Sequence, residues 1–392
     1  MELKEIGLYI HIPFCKQKCY YCDFISYANK EGLIDRYIKC LKKEILKYAS
    51  ENKIMSEHGL ESKYIIKTIY IGGGTPSAID EIYIADIINT IRANFVISED
   101  AEITIEVNPG TVNKEKLETY KNIGINRLSI GLQSTNDEIL KTIGRIHKYK
   151  DFEDTYNYAR CVGFNNINVD LMIDLPTQTL EDVKDSVKKI IGLKPEHISV
   201  YSLILEENTK MYELVKSKKL SLSEDDLERR MYWYVKNTLE KNKYYQYEIS
   251  NFAKKGFESK HNLDCWNQKE YIGLGVAASS FLDNKRYSNI KEIDKYIDNI
   301  ENNNLNLNLQ LEEVLNYENK MNEYMILGLR KIEGINIQEF EEKFKINPIM
   351  KYCKTLDKLN HEGLIQIDKN NIKLTDKGLD LANLVWEEFI SF

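Results

Sequence analysis

The stretch LYIHIPFCKQKCYYCDF, residues 8–24, places Cys15, Cys19 and Cys22 within eight residues of one another, and the next cysteine is Cys40. The apolar positions just before it alternate in IGLYIHI, which predicts a strand over residues 6–12 that Pro13 ends. The three thiols therefore fall in the loop at the carboxyl end of a strand. Structural thiols usually come in twos or fours, so three define a different problem.

A cubane [4Fe–4S] cluster normally takes four Cys thiolates, and three leave one iron open to an outside ligand. S-adenosylmethionine (SAM) can fill that corner through its amino and carboxylate groups. An electron from the cluster can then break the sulfonium bond to give methionine and a 5′-deoxyadenosyl radical. The x3 and x2 spacings let one loop wrap three corners of the cube, and Tyr21 stands directly before the last cysteine. Two other readings compete. Cys15, Cys19, Cys22 and His11 could hold zinc, although His11 lies in the expected strand and no second CxxC or HxxxH echoes it. Three merely buried thiols would sit oddly beside Lys16, Gln17 and Lys18. The cluster is the preferred reading.

Working outward, the same strand-then-helix unit recurs to about residue 210. Strands are expected at 6–12, 67–72, 102–107, 126–131, 167–173 and 197–204, with amphipathic stretches such as LIDRYIKCLKKEILKYA between them. That alternation predicts an α/β fold with a parallel sheet. Six units are too few for a closed eight-fold barrel, so an open, partial (β/α)6 barrel is expected. GGGTP, EVNPG, GLQS, DLMIDLP and YSLILEEN each follow a strand, which gathers Glu106, Gln133 and Asp170 at the rim where such barrels build their sites.

Residues 211–300 extend the barrel, with YYQYEISNF as a strand and GLGVAASSFLDNKRYSN as hairpin material. The Asn-rich run 301–310 is expected to be a linker. Residues 311–392 carry helices at 314–332, 336–345 and 348–362, then a hairpin around Lys369–Asn371, a winged-helix-like α+β module. It holds eleven Lys and Arg against fifteen Asp and Glu, so a DNA-reading role is not expected. The whole chain, at 392 residues and net charge −7, likewise lacks the basic footprint of a nucleic-acid binder. The N-terminus lacks a signal-peptide pattern, no apolar run approaches a membrane span, and seven cysteines read as ligands or core rather than disulfides. A cytoplasmic protein without stable membrane insertion is expected.

The chain resembles the radical SAM enzymes, and within them the branch of the oxygen-independent coproporphyrinogen III oxidases and the HemW-type heme chaperones. The resemblance runs through YIHIPFC, IYIGGGTPS, IEVNPG, RLSIGLQS, GRIH, NVDLMIDLP, HISVYSL, YEISNFA, HNLDCW and LTDKGLDLAN. It implies a [4Fe–4S] cluster on Cys15, Cys19 and Cys22. It also implies SAM held by Gly73, Gly74 and Thr75 of the GGGTP loop, by Glu106, Gln133, Arg145 and Asp170, and flanked by Tyr9 and Tyr21.

The oxidases carry an N-terminal extension and read Cys-Gly-Cys where this chain has Cys22-Asp23-Phe24. Since the motif strand begins at about residue 6, the chaperone side is favoured, with heme as cargo for unidentified acceptor proteins. Radical decarboxylation of a porphyrinogen is the alternative. SKHNLDCW matches that side's HN-x-x-YW stretch, which implies His261 as an axial ligand, Trp266 as an aromatic face and, in third place, Cys265, standing where the family usually has Tyr. The chain also departs from the family at Asp174 and Thr177, where Gly is common, and at Ser279, where many members have His.

Overall fold

The computed structural model describes residues 3–56 and 59–390. Its strands begin with β1 (Lys4–Ile12), a small antiparallel pair β2 (Lys53–Ser56) and β3 (Gly59–Ser62), then β4 (Tyr64–Gly73), β5 (Val96–Val107), β6 (Arg127–Gln133), β7 (Ile167–Ile173) and β8 (His197–Ser202). Between them run α1 (Ile34–Glu51), α2 (Glu81–Asn94), α3 (Lys114–Asn122), α4 (Asp137–Thr142), α5 (Tyr149–Val162) and α6 (Leu180–Leu193). Local chemistry sets the helix ends. The Asp80 side chain caps α2 by accepting from the Ile82 amide, Thr179 and Asp182 form a reciprocal box at the start of α6, and Gly163 ends α5 at φ +94°.

Strands β1, β4, β5, β6, β7 and β8 are parallel and adjacent in that order. Alternation divides each into two faces. Ile6, Leu8, Ile10, Ile69, Ile71, Ile103, Ile105, Leu128, Ile130, Val169, Leu171 and Ile198 share one hydrophobic core with residues of the surrounding helices. The intervening residues, among them Tyr9, Thr68, Tyr70, Glu102, Glu106, Arg127, Ser129, Asn168, Asp170, His197 and Ser199, form the opposite, polar face. The expected open, partial barrel is present. At 39 % exposure, Tyr201 marks where that polar face meets solvent at the rim.

The sheet does not close. After α7 (Lys210–Lys216) and α8 (Asp225–Lys241), β9 (Tyr245–Glu248) lies at the edge and pairs antiparallel to β10 (Asn251–Ala253), which adds antiparallel to β8. Helix α9 (Lys260–Trp266) follows, and β11 (Tyr271–Leu274) pairs parallel to the far edge of β1. β12 (Ser279–Leu282) and β13 (Lys285–Asn289) form the expected hairpin, α10 (Ile293–Glu301) follows, and β14 (Leu309–Val314) completes a twelve-stranded sheet.

The linker expected at 301–310 is therefore not one. Asn302 caps α10, Leu305–Asn308 forms a 3-10 turn, and β14 pairs with β13 from Leu309 onward. Leucines alternating with Asn and Gln carried a strand signal that the polar composition masked. Asn308 is fully buried, its amide donating to the Tyr296 carbonyl at 3.0 Å, so this polar run anchors the chain.

Residues beyond β14 pack around their own core of Met325, Leu329, Phe340, Phe344, Leu356, Leu359, Ile372 and Val385. Helices α11 (Tyr317–Gly328), α12 (Ile337–Phe344), α13 (Pro348–Lys351) and α14 (Cys353–His361) precede a hairpin of β16 (Ile365–Ile367) and β17 (Asn371–Leu374), with β15 (Ile335–Asn336) on the other side of β17. Helices α15 (Asp376–Asp380) and α16 (Ala382–Glu387) close the chain. This module caps the outer edge of the large sheet. The Ile249 amide donates to the Arg330 carbonyl and the Ile332 amide to the Tyr247 carbonyl, each at 3.1 Å. The Arg330 guanidinium lies between the Trp266 and Trp386 rings, 4.4 and 4.8 Å from their centroids.

Two of the sequence's departures have a backbone meaning. Asp174 and Thr177 adopt φ of +59° and +67°, the left-handed region that glycine occupies without cost. Ser223 donates to the Asp174 carboxylate and offsets part of that cost there.

Candidate functional site

The three cysteines sit on a loop bound at both ends. The Cys15 amide donates to the Tyr27 carbonyl at 3.0 Å and the Tyr27 amide to the Pro13 carbonyl at 2.7 Å, while Cys22 N–H closes a turn on the Cys19 carbonyl. The glycine loop after β4 lies against it: Gly74 N–H donates to Ile12 and Thr75 N–H to Phe14, at 2.9 and 2.8 Å. A Cβ on Gly73 (φ +109°) would lie 2.4 Å from the His11 ring, so the approach requires glycine. His11 is fixed in turn, Nε2 donating to the Ile25 carbonyl at 2.9 Å and Nδ1 accepting from the Tyr9 hydroxyl at 3.0 Å.

Below this loop a cavity of about 500 Å³ opens at the carboxyl ends of the strands. Cys15, Cys19, Cys22, Tyr21, Gly73, Gly74, Thr75, Glu106, Gln133, Arg145 and Asp170 all line it. Eleven expected site residues thus converge from six separate segments. Tyr9 does not line the cavity; its hydroxyl is spent on His11. Tyr70, Asn108, Ser129 and Tyr201 line it without having been singled out in the sequence. Their signal was positional, since Tyr70, Ser129 and Tyr201 occupy inward positions near strand ends and Asn108 lies in EVNPG.

Charge is arranged around the thiols. Thr75 Oγ1 donates to Cys15 Sγ at 3.3 Å, and Arg145 Nη1 lies 3.5 Å from Cys19 Sγ while its Nη2 donates to Asn108 Oδ1 at 2.6 Å. Burial, and then the neighbouring Cys19 sulfur, pushes Cys22 up to about 11. Burial also raises Cys15. Glu106 accepts from the Tyr70 hydroxyl and the Gly73 amide at 3.0 and 3.1 Å, yet burial and then Asp170 push it up to about 7. Asp170 is raised as well, first by burial.

These features fit a cluster and a cationic ligand. Among the described residues, no three His, Cys, Asp or Glu side chains gather closely enough to share one ion. The thiols line one cavity yet stand apart, which suits a body larger than a zinc ion. Gln133 Oε1 and Arg145 Nε are buried without partners, and two carboxylates with raised proton affinity face the same space. A positively charged molecule carrying hydroxyl and carboxylate groups would satisfy all four.

The residues expected to touch heme lie elsewhere. His261 is 8 % exposed, with Nδ1 2.8 Å from Thr68 Oγ1 and its ring stacked on Tyr70 at 5.3 Å. The half-buried Cys265 thiol is pushed up to about 12 by burial, and Trp266 packs on Arg330. None of the three lines the cavity. SKHNLDCW folds as the N-cap and body of α9, held against β5 where Glu102 accepts from the Lys260 and His261 amides. The Nδ1 of His261 is engaged by Thr68, which leaves Nε2 as the ring nitrogen for any iron. Ser279, by contrast, is exposed on β12.

Comparison with known proteins places this arrangement. The Radical SAM superfamily matches residues 9–190 and the HemN C-terminal domain residues 315–381. The structure of coproporphyrinogen III oxidase (HemN) from Escherichia coli superposes with a TM-score of 0.85 at 23 % identity, over 99 % of this chain and 90 % of that one, which establishes the shared fold. Fold and thiol cavity are those of the radical SAM superfamily, which implies a [4Fe–4S] cluster and SAM.

Sequence relatives narrow the placement. Heme chaperone HemW of Lactococcus lactis is 37 % identical over 100 % of this chain and 98 % of its own length, and HemW of Bacillus subtilis is 37 % identical over 97 % and 98 %. HemW of Escherichia coli is 39 % identical over 71 % and 70 %. The chain belongs to the heme chaperone HemW family.

Cys15, Cys19 and Cys22 would hold the cluster, with Arg145, Gln133, Glu106 and Asp170 around SAM. When bound, that pair supplies one-electron cleavage of a sulfonium. The chain's own contribution would be to orient the sulfonium ligand and to keep charge of both signs beside it, with buried Glu106, Asp170 and Arg145 in the wall of the cavity.

Proposed function

We propose that this protein is a cytoplasmic heme chaperone that binds heme and passes it to acceptor proteins, carrying a [4Fe–4S] cluster with exchangeable SAM in the strand-end cavity. The observation that carries the reading is full-length kinship with curated heme chaperones, joined to three thiols that line one cavity with two proton-hungry carboxylates. The likeness to coproporphyrinogen III oxidase speaks for fold and not for activity. Among the described residues no helix is long and apolar enough to cross a membrane, so delivery to membrane acceptors would proceed from the surface.

One anaerobically reconstituted sample tests the reading. Four irons per chain, SAM binding and a Soret band on heme titration are expected, with heme transfer to an apo-hemoprotein. Conversion of coproporphyrinogen III to protoporphyrinogen with reductant and SAM would replace the chaperone reading by the oxidase one. Zinc in place of iron would remove both.

A further inference from the structure

The polar faces of β6, β7 and β8 carry a chain of hydrogen bonds that runs from behind the cavity to its wall. His197 is fully buried on β8. Its Nε2 lies 2.8 Å from the Tyr247 hydroxyl and its Nδ1 2.7 Å from Asn168 Oδ1. Tyr247 Oη already accepts from the Ser259 amide at 3.2 Å, which leaves its own proton for His197 Nε2. An imidazole that accepts at Nε2 carries its proton on Nδ1 and donates it to Asn168. Burial, and then the charge of Arg127, holds His197 well below the usual histidine range, so the ring keeps one donor and one acceptor.

That tautomer fixes the next link. Asn168 Oδ1 takes the His197 proton and a second bond from Ser199 Oγ at 3.1 Å. Its Nδ2 is thereby turned toward Asp170 Oδ1 at 2.7 Å and Ser129 Oγ at 2.8 Å, and Ser129 donates on to Asp170 Oδ2 at 3.4 Å. A flipped amide would set its oxygen 2.7 Å from the carboxylate and its NH2 against an N–H donor. Both ends of the chain thus agree on one direction, His197 fixing the amide from one side and the carboxylate from the other. The chain ends on a carboxylate that lines the cavity.

We propose that His197 is a positioning residue for Asp170, acting through Asn168 to hold the carboxylate aimed into the cavity as an acceptor for the ribose hydroxyls or the sulfonium of SAM. The proposal rests on the cofactor reading above. His197 itself touches no ligand; it sets the donors that fix Asp170, as outer partners fix the ligands of a metal site.

The test is SAM affinity of the reconstituted holoprotein by anaerobic equilibrium dialysis, with iron content and thermal midpoint read on the same samples. His197→Phe should weaken SAM about tenfold while iron stays at the wild-type level. His197→Gln, whose amide can donate to Asn168 Oδ1, should recover most of the loss. Asn168→Leu deletes the amide that donates to Asp170 Oδ1 at near-constant volume, should weaken SAM at least as much, and serves if His197→Phe fails to fold. Unchanged affinity in either apolar variant at full iron content overturns the proposal. Equal losses in His197→Phe and His197→Gln overturn it too, since only packing would then matter. Wild-type protein that takes up iron but binds no SAM would sink the cofactor reading instead.

Discussion

Arg145 stands 3.5 Å from the sulfur of Cys19, joining the loop after α4 to the thiol loop across the cavity. The same guanidinium donates to Asn108 Oδ1 and to the Gly131 carbonyl, and its Nε is left without a partner. The planar guanidinium thus ties the loops together and keeps one N–H, at Nε, for an acceptor such as a ligand carboxylate. Arg145→Lys keeps the charge and loses the fork. SAM affinity should drop about tenfold with iron content within error of wild type. An unaltered dissociation constant would show that the fork serves only the loops.

Glu106 makes the cavity sensitive to pH near neutrality, because its carboxyl is pushed up to about 7 by burial and by Asp170. A cationic ligand prefers the anion, so SAM binding should weaken as pH falls through 7, by about tenfold between pH 8 and pH 6. Glu106→Gln should flatten the step. Without ligand the sign reverses. The folded carboxyl holds its proton above the range where the unfolded one has released it, so the thermal midpoint of the empty protein should decline between about pH 5 and 7.

Gly73 tests the seam between the glycine loop and the thiol loop. A methyl there meets the His11 ring at 2.4 Å, at a φ that L-residues avoid. Gly73→Ala should lose bound iron during desalting and lower the thermal midpoint, at a cost of at least about 1 kcal/mol. Full iron retention would mean that His11 yields without disturbing Cys15.

Thr177 predicts a gain. A β-branched residue held at φ +67° stores strain that glycine would not. Thr177→Gly should stabilise the protein by about 1 kcal/mol, seen as a higher urea midpoint at constant slope. A fall in midpoint would show that the hydroxyl repays the strain.

The barrel strands were legible because apolar residues recur at every second position, from IGLYIHI through INVDLMI, and the rim residues because each falls where such a strand ends. The polar partners of that alternation were harder to read. Thr68, Arg127, Asn168 and His197 look like interruptions in a strand until the curvature of the sheet turns them to one side. Residues 301–310 misled because asparagine, a loop former by composition, here caps a helix and bonds a buried carbonyl. The surroundings of His261 were hidden for a related reason. A histidine beside Asn and Trp fits a metal ligand equally well as a core imidazole, and its place against Thr68 and Tyr70 of β4 is set by partners far away in the chain.

The Arg330 clamp has a mechanical consequence. Its two indole jaws come from distant points of the chain, Trp266 from α9 and Trp386 from α16, and Glu248, fully enclosed, supplies countercharge to the cation between them. Excising everything after β14 would strand an enclosed anion, bare an aromatic wall and unstitch the margin at β9. The tail is a keystone and not a passenger: a barrel shorn of it should be the less soluble half.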